Sequence, residues 1–165
     1  SLTFGSTISF NKSKATKSVR SAEAKSFILS AVEVLRNDYG CRVEVVGDAS
    51  ILESTSISTE YMHQALSVLA TVARAGKSAK IRFVIDEGQI RIIASVPSAV
   101  YGEIFKSSYV AESTADLGGF KYSVEYDGDD TLAVLTIIPS KHRAIALYAI
   151  SKAEIKALIR SILKV

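Results

Sequence analysis

The chain has 165 residues, 48% of them hydrophobic, and a formal net charge of +3. That length suits one domain with a core of its own, and that hydrophobicity excludes a disordered chain. No apolar run approaches the roughly 18 residues of a membrane-spanning helix, and Ser1-Leu2-Thr3-Phe4-Gly5 has neither the basic start nor the apolar run of a signal peptide.

The charge is unevenly placed. Residues 140–165 hold six basic residues and one acid, a balance of +5, against −2 for everything before them. So mild a total does not by itself imply nucleic acid, but it concentrates positive charge in the tail. The lone cysteine, Cys41, permits no internal disulfide and fits a reducing cytoplasm. It is expected as a small buried apolar residue.

Ser6 to Asn11 reads as a short strand, followed by a basic linker with Lys12, Lys14, Lys17 and Arg20. From about Ala22 to Asp38 the apolar residues Ala24, Phe27, Ile28, Ala31 and Leu35 recur every three or four positions, which predicts a helix with one apolar face. Gly40 suits the left-handed turn that ends it. The valine-rich stretch Cys41 to Val46 predicts a strand. Residues 48–58 are polar and read as a connection, with Ser58 or Thr59 capping the next helix.

That helix carries Met62, Ala65, Leu66, Leu69, Val72 and Ala73 as one stripe and stops at Gly76. Lys80 to Ile85 and Gln89 to Ser95 form a hairpin around Asp86-Glu87-Gly88, with Pro97 ending the second strand. Ser98 opens a further helix to Ala111. Gly118-Gly119 breaks the chain, and a second hairpin runs from Phe120 to Tyr126 and from Thr131 to Ile138, closed by Pro139. The tail is helical: Ser151 and Glu154 have capping-box spacing, Ile155, Leu158, Ile159, Ile162 and Leu163 make an apolar stripe, and Lys152, Lys156, Arg160 and Lys164 recur every four residues. Helices with one apolar face, interleaved with hairpins, predict an α+β two-layer sandwich: a mixed sheet covered by helices on one face, with an extra C-terminal helix.

Several of these pieces, in this order, carry a resemblance. Ala31 to Val46 is a helix, a glycine turn and a strand. Gln64-Ala65-Leu66 leads into Val68-Leu69-Ala70-Thr71-Val72-Ala73. Lys80 to Ile93 is a central hairpin, Ala115-Asp116-Leu117-Gly118-Gly119 ends a helix, and Thr131 to Pro139 is a closing strand. Together they resemble the histidine-kinase-like ATPase family, the GHKL or Bergerat fold, over roughly residues 22–139.

The departures fall where that family does its chemistry. The resemblance implies asparagines at Val68 and Val72, the second of them a magnesium ligand. After the strand it implies Asp-x-Gly-x-Gly, whose aspartate reads adenine, where this chain has Val96-Pro97-Ser98-Ala99-Val100. The family's lid and second glycine-rich motif are missing, because Ser98 leads almost at once into the next helix. Unpaired polar contacts to adenine cost about 1–3 kcal/mol each, and a triphosphate needs backbone N–H groups and a cation. No cofactor is therefore expected, and Val68, Val72, Val96 and Ser98 mark degenerate ATP-site positions.

Other chemistry is thin. His63 reads as a surface histidine despite Glu60 one turn earlier, and His142 sits in the basic tail. Two distant histidines and one cysteine have no metal-ligand spacing. Asp127, Asp129 and Asp130 read as a solvated turn, not a calcium loop, and no nucleophilic triad assembles. The tail helix has three readings: its stripe packs on the domain's own sheet, it docks on a partner or a second copy, or its basic face meets nucleic acid or an anionic membrane.

The expectation is a cytoplasmic domain spanning residues 1–139, of histidine-kinase-ATPase type, with residues 140–165 as its basic helical extension. Its expected role is non-catalytic: a regulatory or protein-interaction module in signal transduction, facing another protein such as a signalling kinase or response regulator, or a second copy. The alternatives are an atypical ATP-binding histidine kinase domain using ATP and magnesium, and a nucleic-acid binder acting through Lys152, Lys156, Arg160 and Lys164.

Overall fold

A computed structural model describes residues 21–99, 119–141 and 147–164. The expected first strand, the basic linker, the helix beyond Ala99, Gly118 and His142 lie outside them. The described chain runs β1 (Ser21–Glu23), α1 (Ala24–Asn37), β2 (Arg42–Val46), β3 (Thr55–Ser58), α2 (Thr59–Ala73), β4 (Lys80–Asp86), β5 (Gln89–Pro97), β6 (Phe120–Asp127), β7 (Asp130–Ile137), β8 (Ser140–Lys141) and α3 (Lys152–Leu163).

The main sheet has five strands in the order β2-β4-β5-β7-β6. β2 lies parallel to β4, and the other pairs are antiparallel, with Phe83 opposite Ile92 and Ile92 opposite Leu135. Alternation along the strands sets its two faces. Ile81, Phe83, Ile85, Ile90, Ile92, Ala94, Val96, Ala133, Leu135 and Ile137 are buried in one core with α1 and α2. The intervening residues, from Lys80 and Arg82 to Leu132 and Val134, form the open face. This is the expected α+β sandwich, a mixed sheet with helices on one face.

The helices form where the apolar spacing predicts. Phe27, Ile28, Ala31 and Leu35 of α1 are fully buried. Ser58 caps α2 by accepting a hydrogen bond from the Tyr61 N–H at 3.2 Å. Gly40, at φ +72°, and Gly88, at φ +85°, take the left-handed conformations that their turns require. Cys41 is buried, as expected.

Residues 48–58 are not simply a polar connection. A short 3-10 turn, Ala49–Leu52, leads into β3, whose Thr55, Ser56 and Ile57 are buried. β3 is the middle of a second sheet, ordered β1-β3-β8 and antiparallel throughout. Hydrogen bonding to strands on both sides satisfies its backbone, and the Thr55 hydroxyl donates to the Leu52 carbonyl at 2.6 Å.

The tail helix also lies elsewhere than on the sheet. α3 packs on α1 and α2, burying Ile155 and Ile159 completely. The Ser30 hydroxyl of α1 donates to the Ile150 carbonyl at 2.9 Å, and the Ile150 N–H donates to Ser26 Oγ at 3.0 Å. The capping box of Ser151 and Glu154 is formed as its spacing predicts. α1 is thus covered on two sides, by its apolar stripe against the sheet and by its serines against the start of α3.

Burial makes Cys41 and Tyr122 resist ionisation, pushing the thiol from 9.0 up to about 11 and the phenol from 10.0 up to about 12. In each case the unfolded chain releases its proton first, so the stability present below the unfolded value is lost as pH rises to the folded one. We expect the urea midpoint to fall from pH 9 upward, and Cys41→Ala to flatten the first part of that fall. Maleimide labelling of Cys41 at neutral pH should be slow in the folded protein and fast in urea. Rapid labelling of the native state would show the thiol to be accessible.

Candidate functional site

The candidate cleft is bounded by α2 and by the end of β5, where the sequence resemblance places a nucleotide. Val68 is 0%, Val72 1% and Val96 1% exposed. Val68 and Val72 are one turn apart on α2, and Val96 is the last inward-facing residue of β5. The three valines belong to the single core. α2 is buried on more than its predicted stripe, since Ser67, Val68 and Ala70 join Met62, Leu66, Leu69 and Val72. α3 also packs against α2.

Ser98, the fourth predicted position, is spent on its own neighbours. Its hydroxyl lies 2.8 Å from that of Thr131, which is fully buried, and its N–H donates to the Asp129 carbonyl at 2.8 Å. These bonds tie the end of β5 to the β6–β7 turn. Sequence reasoning missed Thr131, because a β-branched threonine in a strand gives no sign that its hydroxyl is enclosed. It also missed the close approach at Gly119: a Cβ there would come within 2.9 Å of Tyr61 Cε2. The Tyr61 ring stacks at a tilt on Phe120, with centroids 5.5 Å apart. Two enclosed polar atoms, Gln64 Oε1 on α2 and the Tyr122 hydroxyl on β6, find no hydrogen-bond partner among the described residues.

No family model matches the sequence, and no curated protein matches it. Among solved structures the chain is similar to the histidine kinase AdeS of Acinetobacter baumannii, at 8% identity and a TM-score of 0.48, over 72% of this chain and 66% of that one. It is similar to the histidine kinase ThkA in complex with the response regulator TrrA, at 13% identity and a TM-score of 0.46, over 73% of this chain and 41% of that one. The catalytic domain of ThkA in a nucleotide-free form gives 12% identity and a TM-score of 0.46, over 76% of this chain and 97% of that domain. The chain therefore spans just under two thirds of the AdeS structure and less than half of ThkA in its complex. What the chain does is read from its own residues.

The predicted basic surface is divided. Lys152 pairs with Glu33 at 2.6 Å and Lys156 with Asp38 at 3.4 Å, so two of the four cations answer acids on α1 and at its C-terminal cap. The bond to Glu33 raises the Lys152 pKa above its ordinary value. Arg160 and Lys164 are exposed near the C-terminal end of α3. His63 is exposed on the flank of α2. Asp127 and Asp129 are exposed at the β6–β7 turn, whose Gly128 takes φ +62°. Among the described residues no helix is long and apolar enough to cross a membrane.

Proposed function

We propose that this chain is a non-catalytic regulatory or protein-interaction module in signal transduction, a histidine-kinase-ATPase type of scaffold that has lost its ATP-binding motifs. The carrying observation is the burial of Val68, Val72 and Val96. A face of α2 meant to hold magnesium and purine needs polar groups presented to solvent or ligand. Here those positions are methyl groups packed in the core. Ser98, with its hydroxyl and N–H engaged by Thr131 and Asp129, completes the closure. No cofactor is required in this role, and its setting is the cytoplasm. The partner is another protein, such as a signalling kinase or a response regulator.

The test is a thermal melt with Mg-ATP. A ligand at 100 times its Kd stabilises by about 2.7 kcal/mol, a shift of several degrees for a domain of this size. We expect no shift at millimolar Mg-ATP and no heat of binding by calorimetry. Saturable micromolar binding would overturn the proposal in favour of an atypical ATP-binding kinase domain. The observation favouring that alternative is Gln64 Oε1, an enclosed acceptor one turn before Val68 that lacks a partner among the described residues.

A further inference from the structure

The open face of the main sheet is uncovered by any described element and is neither uniformly polar nor uniformly charged. At one end, where β4 and β7 begin and β5 ends, it bears Arg42 and Lys80 on β2 and β4, with Arg82 one step along, where it is paired with Glu44 of β2 at 3.1 Å. On the other side of β5 it bears Asp130 and, on β6, Glu125 and Asp127. Between the basic and acidic groups lie Ile93, Ser95 and Leu132, forming the floor of a shallow depression of about 470 Å³. The registers place Arg42 beside Lys80, Lys80 beside Ser95, Ser95 beside Leu132 and Leu132 beside Glu125, a row that crosses the sheet from base to acid.

We propose that this face binds a second copy of the chain, in a two-fold arrangement whose axis lies in the interface along β5. A half-turn about that axis lays β2 and β4 of one copy over β6 and β7 of the other. Arg42 then meets the acids at Glu125 and Asp127, Lys80 meets the side bearing Asp130, and Ile93 and Ser95 meet their own images. The charge pattern is complementary to itself under this operation, and each contact away from the axis is made twice, as a two-fold interface requires.

The shape agrees with the charge. A sheet with uniform twist is saddle-shaped, and a half-turn about a strand lying in it maps the saddle onto itself. The depressed diagonal of one copy therefore meets the raised diagonal of the other, as in aligned sheet packing. Arg91, also on β5 and on this face, would oppose its own image. The contact is accordingly centred at the Ile93–Ser95 end. The interface is small and ionic, so the association is weak and sensitive to salt. It does not depend on the proposed loss of nucleotide binding.

The experiment is sedimentation velocity on the full chain at low ionic strength, from micromolar concentrations up to about 1 mM. The parent protein should move from one copy towards two with concentration and return to one in high salt. Arg42→Glu with Lys80→Glu should be monomeric throughout, and so should Glu125→Lys with Asp127→Lys. An equimolar mixture of these two variants should associate, because each then carries one net sign on both sides of β5, negative in the first and positive in the second. Arg91→Ala should associate more tightly than the parent. All these side chains are on the open face, and circular dichroism checks that each variant is folded. A parent that stays monomeric at the highest concentration overturns the proposal. So does a dimer that both charge variants leave unchanged, or a mixture of folded variants that remains apart.

Discussion

Replacing Val72 by asparagine is expected to lower the unfolding free energy by about 3 kcal/mol and to add no affinity for Mg-ATP. Val72 is 1% exposed. The substitution removes two packed methyl groups, a loss of about 1.5 kcal/mol or more. It also encloses an amide, and each buried polar group without a partner costs about 1–3 kcal/mol. Val68→Asn should behave alike, since Val68 is 0% exposed. The two residues are one turn apart, so their costs will couple rather than simply add. The double variant is expected to approach the whole stability of a small domain, about 5–15 kcal/mol. Urea unfolding followed by circular dichroism measures the first effect and calorimetry the second. A Val72→Asn protein as stable as its parent, and titratable with Mg-ATP, would mean that the position still faces an open nucleotide site.

Ile159→Ala should cost about 2–5 kcal/mol, while Lys156→Ala should cost less than about 1 kcal/mol. Ile159 is fully buried where α3 meets α1 and α2. The Lys156–Asp38 pair is 3.4 Å long between side chains that are 39% and 34% exposed. Water screens such a pair, whereas the cavity left by an isoleucine side chain cannot be screened. Urea unfolding of the two variants side by side measures what holds α3 in place. Equal costs for the two substitutions would show that charge contributes as much as packing. Since Lys152 and Lys156 are engaged with α1, a nucleic-acid role for this helix would rest on Arg160 and Lys164.

The parts of the fold that could be read from sequence are those in which one local pattern decides the outcome. α1 buries Phe27, Ile28, Ala31 and Leu35 on a 3.6-residue period, and the β4–β5 and β6–β7 hairpins alternate around glycine turns. β3 was hidden because Thr55, Ser56 and Ser58 look like a loop, and its burial comes from partners far along the chain: Ser21–Glu23 on one side and Ser140–Lys141 on the other. The destination of α3 was hidden for a related reason. Its own stripe is plain, but the surface receiving it includes Ser26, Ser30 and Glu33, residues that read as solvated. In the candidate cleft the substitutions at Val68 and Val72 were legible as residue types. Their complete enclosure was not, because it is set by tertiary packing that residue types along one helix do not specify.

The small sheet sets an order of events for the growing polypeptide. β3 pairs with a strand made just before α1 and with another made more than eighty residues later, and the outer cover of α1 and α2 arrives later still. As the chain leaves the ribosome, the β4–β5 hairpin can close from neighbouring residues, but Ile155 and Ile159 emerge only after every strand of the main sheet. Until then the apolar sides of α1 and α2 are exposed to chaperones and to other nascent chains. Pausing between the codons of β7 and those of α3 would prolong that exposure more than pausing between the codons of β4 and β5.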